Sequence, residues 1–593
     1  MSLVVQKFGG TSVADCEKIL SAARKAVRAH QKGHQVIMVV SAMGKNTDML
    51  VEMASQISEA PPAREMDMLL STGEQVSVAL MAMAIDSLGY QAVSLTGSQI
   101  GIKTDSSHTK ARIKNISTER ILSLLEQGNI VIAAGFQGID ENLNITTLGR
   151  GGSDTTAVAL AAVFQAEACE IYTDVDGVYT TDPRILPEAR LIDTVNYDEM
   201  LELASLGAGV MHSRSIEFGK KFNVAIRVRS SLSDATGSLI IDHAQTRELP
   251  VSGAALTRDE ARISILDVPD VPGTIYPLFL KLAEAKITVD MIVQNVSDDG
   301  TADISFTVPR EESDETLQAL LPVVNRLGGR MGKTDTEVSK VSVVGMGMAT
   351  QVGVANRMFR ALADANVSMQ MITTSEIKIS ALVRRDQALS ALRTVHAEFG
   401  LDTGATDTPS FSYEPTPQAQ IDAADVVERL QKTGMESLTI DDIVLDDNQS
   451  RVTLTGVPNQ PGIAAAVFDR VAENGIFVDM IVQSYADDRN ADISFTVPTD
   501  QFETSLAVAT QIKEEFRCEG LNHKRRIAKL TVSGIGLRSH TGVAVEMFQA
   551  LHEANINVDM INTSEVRVNV VVDGAEGQAG LDCLKRQFDS AMR

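Results

Sequence analysis

The sequence predicts an α/β protein: a mainly parallel N-terminal sheet with helices on both faces, followed by four small α+β units. Three observations carry this. From Met1 to about His243, short β-rich runs (LVVQKF, QVIMVVSAM, IVIAAGF, EIYTDV, VAIRVRSS) alternate with helical segments such as Cys16 to His30 and Glu74 to Leu88, the pattern of strands joined by covering helices. After about Pro250, VDMIVQNVSDDGTADISFTVP (Val289 to Pro309) returns 189 residues later as VDMIVQSYADDRNADISFTVP (Val478 to Pro498), so a whole block is duplicated. Each block is itself double, because a glycine turn before an apolar-periodic helix recurs after 80 residues, at Gly273 and Gly353 and again at Gly462 and Gly542.

In chain order, residues 1–245 form the first domain. Its strands run into KFGG, VSAMG, GFQG and YTDVDG, turns at the carboxyl ends of strands, where open α/β sheets bind ligands. The units that follow divide at 262–335, 336–405, 436–525 and 526–593, with a Thr/Pro/Ser-rich linker over 406–435. In the first unit Ile275, Leu278, Phe279, Leu282 and Ala283 keep the i, i+3, i+4, i+7, i+8 spacing of a helix lying on a sheet. ITVDMIV and TADISFTV after it read as a strand pair. The chain closes on LDCLKRQFDSAMR, a helix-like segment with no strand behind it, so the last unit lacks a strand or takes one from a neighbour.

Composition narrows the partners. A formal charge of −25, no Trp and 4% aromatic residues oppose phosphate backbones and leave little for base stacking, so neither nucleic acid nor a membrane surface is expected. Cys16, Cys169, Cys518 and Cys583 are scattered without C-x-x-C spacing, which indicates reduced thiols rather than a disulfide framework or a metal site. No leader and no membrane-length apolar run is read, which places the chain in the cytoplasm.

Chemistry concentrates in LGRGGSDTTAVALAAV, Leu148 to Val163. A cation and small residues stand directly before an apolar helix, so unpaired N–H groups and the positive dipole end face whatever binds there. With Lys7 beside Gly9 and Gly10, this is half of an anion-handling site suited to phosphoryl transfer, which rests on positioning and positive charge. Ser41, Thr47, Glu74 and Arg150 suit gripping an amino acid by its carboxylate and ammonium groups. Each motif also has a plainer explanation: a strand-to-helix turn for KFGG, a capped loop for RGGSD, a D-G turn for YTDVDG, and a capping box with Ser71 for Glu74. GGRMGKT (Gly328 to Thr334) imitates a P-loop but has Leu327 where the first glycine belongs and follows a helix, so it is read as a turn.

In order along the chain, KFGGTSV, VVSAMGKNTD, STGEQVS, GRGGSDTTA, YTDVDGVYTTDPR and LGAGVMHSRSIEFGKKFNV resemble the aspartate kinases: an amino-acid-kinase domain followed by ACT regulatory domains, here two pairs of them. The resemblance implies ATP-dependent phosphorylation of the L-aspartate side chain to 4-phosphoaspartate, the first step toward lysine, threonine and methionine. Lys7 and Asp154 would be catalytic, and Ser41, Thr47, Glu74 and Arg150, Gly151, Gly152 and Ser153 would hold aspartate. Gly9, Gly10, Thr173, Asp174, Tyr179, Asp182 and Arg184 would line the nucleotide site. Magnesium would arrive with ATP rather than in a protein cage. Gly209 stands where some members carry Lys.

Asp270, Gly273, Asp290 and Gln294, with Gly462, Asp479 and Gln483 in the duplicate, would bind lysine, threonine or both as feedback effectors, and a homodimer through the ACT units is expected. Asn459 replaces Asp270 in the second copy. Two rival readings are a kinase for glutamate or acetylglutamate, and a non-catalytic amino-acid sensor.

Overall fold

The computed structural model describes residues 2–207, 210–242, 250–296, 300–351, 353–403, 435–436, 438–485, 490–537 and 542–592. The N-terminal domain is built on β1 (Leu3–Phe8), β2 (Gln35–Val40), β3 (Ala92–Leu95), β4 (Ile130–Ala134), β5 (Ala168–Thr173), β6 (Thr194–Asn196), β7 (Ile226–Ser230) and β8 (Ser238–Ile241). They lie in the order β6-β8-β7-β5-β1-β2-β4-β3, and every neighbouring pair is parallel except β7 with β8. Strict alternation splits the strand residues between two cores. Val4, Phe8, Val36, Met38 and Val40 face helices α1 (Cys16–Gln31) and α3 (Ala63–Ser87), while Val5, Ile37 and Val39 face α4 (Gly152–Val163) and α6 (Ser213–Phe222). Between them come α2 (Asn46–Ile57) and α5 (Tyr197–Ser205).

Register decides where the loops gather. Phe8 lies opposite Val40 and Tyr172, and Val40 opposite Ala134, so KFGG, VSAMG, GFQG and YTDVDG leave the sheet side by side at one edge. Helix α3 starts at Ala63 after Pro61 and Pro62, eleven residues before the expected Glu74, because the two prolines and not the Ser71-x-x-Glu74 spacing mark its entry. Among the described residues it is the one helix long and apolar enough to cross a membrane, which corrects the expectation of no such run. Its inner face nevertheless carries the buried Asp67 and Glu74.

The C-terminal region is a single twelve-strand path with one short side strand at Arg330–Met331. Its strands are β9 (Gly253–Pro269), β10 (Asp290–Val296), β11 (Thr301–Pro309), β12 (Asp335–Val344), β13 (Met369–Thr374) and β14 (Lys378–Arg384). The duplicate supplies β15 (Thr439–Pro458), β16 (Ile481–Tyr485), β17 (Asn490–Pro498), β18 (Gly520–Ile535), β19 (Met560–Thr563) and β20 (Arg567–Asp573). The four helices opened by the glycine turns are α7 (Ile275–Glu284), α8 (Val354–Asp364), α9 (Ile463–Glu473) and α10 (Val543–Glu553).

The four units are not strictly consecutive. The first part of β9, Gly253 to Thr257, pairs with β12 of the second unit, and the part from Glu260 to Pro269 pairs with β11 of the first. An expected boundary at 262 therefore cuts a strand that serves two units. The duplicate resembles this: Thr439 to Asp446 of β15 pairs with β18 alone, and Gln449 to Pro458 pairs with β17 while its stretch to Thr455 also pairs with β18. The last unit thus takes its missing strand from in front of the third. Units also pair across the duplication, β13 with β16 through Ile372–Gln483 and Thr373–Val482, while Gln294 of β10 donates to the Val558 carbonyl at 2.9 Å.

The Thr/Pro/Ser-rich segment and Gly209 lie outside the described residues, apart from the first and last few positions around the former. Gly328, with φ +80°, caps the preceding helix, so GGRMGKT is a helix-to-strand turn.

Candidate active site

Lys7, the penultimate residue of β1, reaches Asp154 in the first turn of α4; its Nζ lies 2.5 Å from Oδ1, and both side chains are nearly buried. These groups border a cleft of about 1110 Å³, which is also lined by Gly10, Ser41, Thr47, Glu74 and the run Arg150 to Ser153. The expected catalytic pair and the expected aspartate-holding residues therefore share one space. Backbone bonds set the geometry: the Ser41 N–H donates to the Phe8 carbonyl at 3.1 Å and the Gly44 N–H to the Gly10 carbonyl at 3.0 Å. A Cβ on Gly10 would sit 2.8 Å from the Ala42 carbonyl oxygen, so only glycine lets these loops meet. Lys110, Arg112, Arg214 and Lys221 add further cations to the wall, interspersed with Glu217, Glu311, Glu312 and Glu436.

Glu74 lies mid-way along α3, while the Ser71 hydroxyl donates to the Met68 carbonyl; the capping-box explanation is excluded. Glu74 Oε1 accepts the Ala42 N–H at 3.1 Å, and Oε2, buried, has no hydrogen-bond partner among the described residues. Burial raises its pKa to about 7, opposed by backbone N–H donors. An orphan carboxylate oxygen beside a cleft is a receptor for an ammonium group.

The loop before α4 is held tightly. Gly151 is left-handed (φ +70°), and a Cβ there would lie 2.3 Å from His212 Cβ. Burial, with Arg214 nearby, holds the His212 imidazole below its ordinary pKa, so it packs as a neutral ring at pH 7. Arg150 is exposed at the cleft and makes no ion pair with a described residue.

Of the expected nucleotide residues Gly10 lines the cleft, whereas Thr173 ends β5 and Asp174, Tyr179, Asp182 and Arg184 follow it, outside the cleft lining. The Gly9 N–H donates to the Tyr172 carbonyl at 3.3 Å, placing that loop beside Lys7. Thr173 donates to Asp174, and Tyr179 bridges to Leu191. Asp182 and Arg184 form a two-pronged ion pair, with Nη2 2.8 Å from Oδ2; the guanidinium beside it holds the Asp182 carboxyl below its ordinary range. The exposed Arg184 would have to exchange this partner for a phosphate.

Asp270, Gly273 and Gln294 stand at the seam of the first and fourth units. Asn557 donates to Asp270 at 2.8 Å, and a Cβ on Gly273 would strike the His552 ring. Gly462 and Gln483 stand at the seam of the third and second, with Gln483 reaching toward the Met369 carbonyl. Two expectations are corrected. Asp290 is paired with the buried Lys340 of β12 at 2.5 Å, and Asp479 with Lys529 of β18; both carboxylates are already neutralised by a lysine, which an effector ammonium group would have to displace.

The amino acid kinase family profile matches residues 2–230, and the ACT domain profile matches 341–399, 452–513 and 530–588. An aspartate kinase of Stutzerimonas stutzeri is 49% identical over 410 residues, covering 69% of this chain and 100% of the relative. Aspartokinase 2 of Bacillus subtilis is 49% identical over 402 residues, 68% of this chain and 98% of that protein. The chain belongs to the aspartate kinase family. The crystal structure of the Synechocystis aspartate kinase aligns over 100% of this chain and 98% of its own at 37% identity, with a TM-score of 0.52. The Escherichia coli aspartokinase III structure with lysine and aspartate aligns over 67% of this chain and 99% of its own at 25% identity, with a TM-score of 0.54.

Residues outside the functional assignments made from the motifs also shape the cleft and the seams. Asp67 is wholly buried and accepts from His108 at 2.7 Å, the Thr109 N–H at 3.0 Å and the Thr147 hydroxyl, fixing the Thr109–Lys110 edge of the cleft. The signal was present: Asp67, Leu70, Ser71 and Glu74 mark one helix face at i, i+3, i+4 and i+7. Arg214 sits inside a motif noted for its likeness alone, and its partner Glu436 is 222 residues away, beyond any local pattern. Gly353, Asn356 and Glu376 were also missed; with Asp479 they line a second seam cavity of about 100 Å³.

Proposed function

We propose that this chain transfers the γ-phosphoryl group of ATP to the side-chain carboxylate of L-aspartate, giving 4-phospho-L-aspartate, with feedback inhibition by lysine, threonine or both. The observation that carries the reading is the meeting of Lys7 and Asp154 at 2.5 Å on a cleft shared with Ser41, Thr47, Glu74 and Arg150. Arg150 takes a substrate carboxylate as a two-pronged clamp, and the free Glu74 oxygen takes the ammonium. Ser41 and Thr47 add hydroxyl contacts. Lys7 faces the transferring group and offsets its charge, Asp154 orients Lys7, and the N–H groups opening α4 add positive potential.

The turn at Gly9 and Gly10 fits close-approaching phosphates: a Cβ on Gly9 would sit 3.4 Å from Lys7 Nζ, beside the cation, and Gly10 lets the flanking loops meet. Thr173, Asp174, Tyr179, Asp182 and Arg184 complete the nucleotide side in this reading. Mg²⁺ arrives on the phosphates and neutralises them; among the described residues no three His, Cys, Asp or Glu side chains converge as ligands. Four free thiols suit the cytoplasm.

Regulation is supported by repetition. The side-chain oxygens of Gln294 and Gln483, 189 residues apart, are both buried without a hydrogen-bond partner among the described residues. Each points to a missing donor such as an effector ammonium. Asp270, whose pKa burial raises, adds a carboxylate to the first seam, and Asn459 gives the second a neutral group. A homodimer, in this reading, uses faces outside the seams. The test is a kinase assay with aspartate, glutamate and acetylglutamate, with and without lysine and threonine at millimolar levels. Aspartate-dependent ADP release that lysine or threonine suppresses supports the reading; turnover equal in Lys7→Ala and wild type refutes it.

A further inference from the structure

Met435 and Glu436 belong by sequence to the approach to the second regulatory block, just ahead of β15, yet they are embedded in the kinase domain. Met435 is fully buried in the same core as Leu148 and Ile113. The Glu436 carboxylate meets Arg214 Nε at 2.5 Å through Oε2 and accepts the Ile113 N–H at 2.8 Å through Oε1. The same guanidinium donates from Nη1 to the Leu148 carbonyl at 2.5 Å and from Nη2 to the Ala111 carbonyl at 2.6 Å. The two side chains are only 15% and 8% exposed. Leu148 leads directly into Gly149 to Ser153, and Ala111 follows Thr109 and Lys110; both stretches line the cleft, as do Met435 and Glu436.

We propose that Glu436 is a positioning residue for the substrate cleft, acting through Arg214. A guanidinium is planar, and the carboxylate on its Nε edge fixes the directions in which the two Nη groups donate. Those directions hold two cleft loops against each other. Removing the carboxylate leaves a nearly buried cation bound to carbonyls alone, and its fork is free to turn. The loop that moves is the one bearing Arg150, and small misplacements of binding groups are costly. Glu436 itself comes from the strand system of the regulatory body: Thr439, where β15 begins, pairs with Ile535, and Ile535 and Gly536 also line the cleft. The contact is therefore a route from the second block to the substrate loop.

The assignment rests on the aspartate reading for its kinetic readout only. Full-length Glu436→Ala and Glu436→Gln are compared with wild type by steady-state kinetics and amide hydrogen exchange. Glu436→Ala is expected to raise the aspartate KM by about tenfold, with kcat and the ATP KM within about twofold. Glu436→Gln, which still accepts the Ile113 N–H, raises it less. Exchange quickens at 109–113 and 148–153 and not elsewhere in the kinase domain. An unchanged aspartate KM in both variants overturns the proposal. So does a fall in kcat with a raised ATP KM and faster exchange throughout, which marks general destabilisation. Should wild type fail to phosphorylate aspartate, the functional reading falls, and the exchange pattern of Glu436→Ala still decides: local quickening supports the positioning role, none refutes it.

Discussion

Glu74→Gln separates binding from stability, because burial works against the charge that the substrate needs. In the folded chain the Glu74 pKa stands at about 7 against an ordinary 4.5. The folded state holds this proton more tightly than the unfolded state, so stability falls as pH rises from 4.5 through 7 and levels off above. The loss amounts to about 3 kcal/mol. Gln keeps an acceptor for the Ala42 N–H at similar volume and removes the charge. The variant is expected to be more stable than wild type at pH 8 by up to about 3 kcal/mol, and by less than about 1 kcal/mol at pH 5, read by urea denaturation at the two pH values.

Function moves the other way. A charge-assisted hydrogen bond is worth about 1.5–3 kcal/mol, so losing the ammonium contact raises the aspartate KM by roughly 10- to 150-fold. Wild-type kcat/KM for aspartate should rise with pH through about 7 as free Glu74 ionises, and that inflection should vanish in Glu74→Gln. A variant less stable at pH 8, with an unchanged aspartate KM, would refute the reasoning: Glu74 would then be a structural residue and its free oxygen would face no ligand.

Three further outcomes follow from the same geometry. Lys7→Ala should lower kcat by about 10²- to 10³-fold, as removal of one positioned cation at a developing charge does, with the aspartate KM within about threefold; a KM effect without a kcat effect would move Lys7 to ground-state binding. Gly151→Ala places a Cβ 2.3 Å from His212 at φ +70°, at a cost of about 1–2 kcal/mol in backbone strain alone, and should reduce kcat/KM for aspartate by about tenfold or more; wild-type kinetics would show that the loop moves freely. Glu202→Ala removes the carboxylate 3.0 Å from Lys378, only 4% exposed, leaving that buried cation to the charges of Asp290 and Glu565, at a cost of about 3 kcal/mol that lowers the first thermal transition in calorimetry; an unchanged transition would mean that these carboxylates or water compensate.

The cleft was legible to the extent that its parts were local. Strand ends announced themselves by glycines, and parallel register brings four such ends together, so Lys7, Ser41 and Arg150 were found from motifs. What escaped depends on long-range pairing. Nothing in the period of β9 tells that its first half serves one unit and its second half another; a register shift between Thr257 and Glu260 makes the handover. The entry of α3 was misjudged because the S-x-x-E spacing occurs mid-helix as readily as at an N-terminus, whereas Pro61 and Pro62 were the better mark. Asp290 and Asp479 were read as open carboxylates since their lysine partners lie 50 residues further on in each block.

Duplication in register also creates pairs of equivalent residues that a single kinase domain cannot use alike. Lys378 and Arg567 are equivalents, as are Glu376 and Glu565, each 189 apart. Lys378 turns to Glu202 on α5, whereas Arg567 pairs with Glu376. Glu565 gives its backbone N–H to that same Glu202 at 2.9 Å. One buried carboxylate of the kinase domain thus meets both blocks and gives matched positions different partners. The asymmetry between the blocks is accordingly imposed by the domain they carry as well as by substitutions such as Asp270 to Asn459, and the second pair is tied mechanically to the kinase through Glu565 whatever it binds.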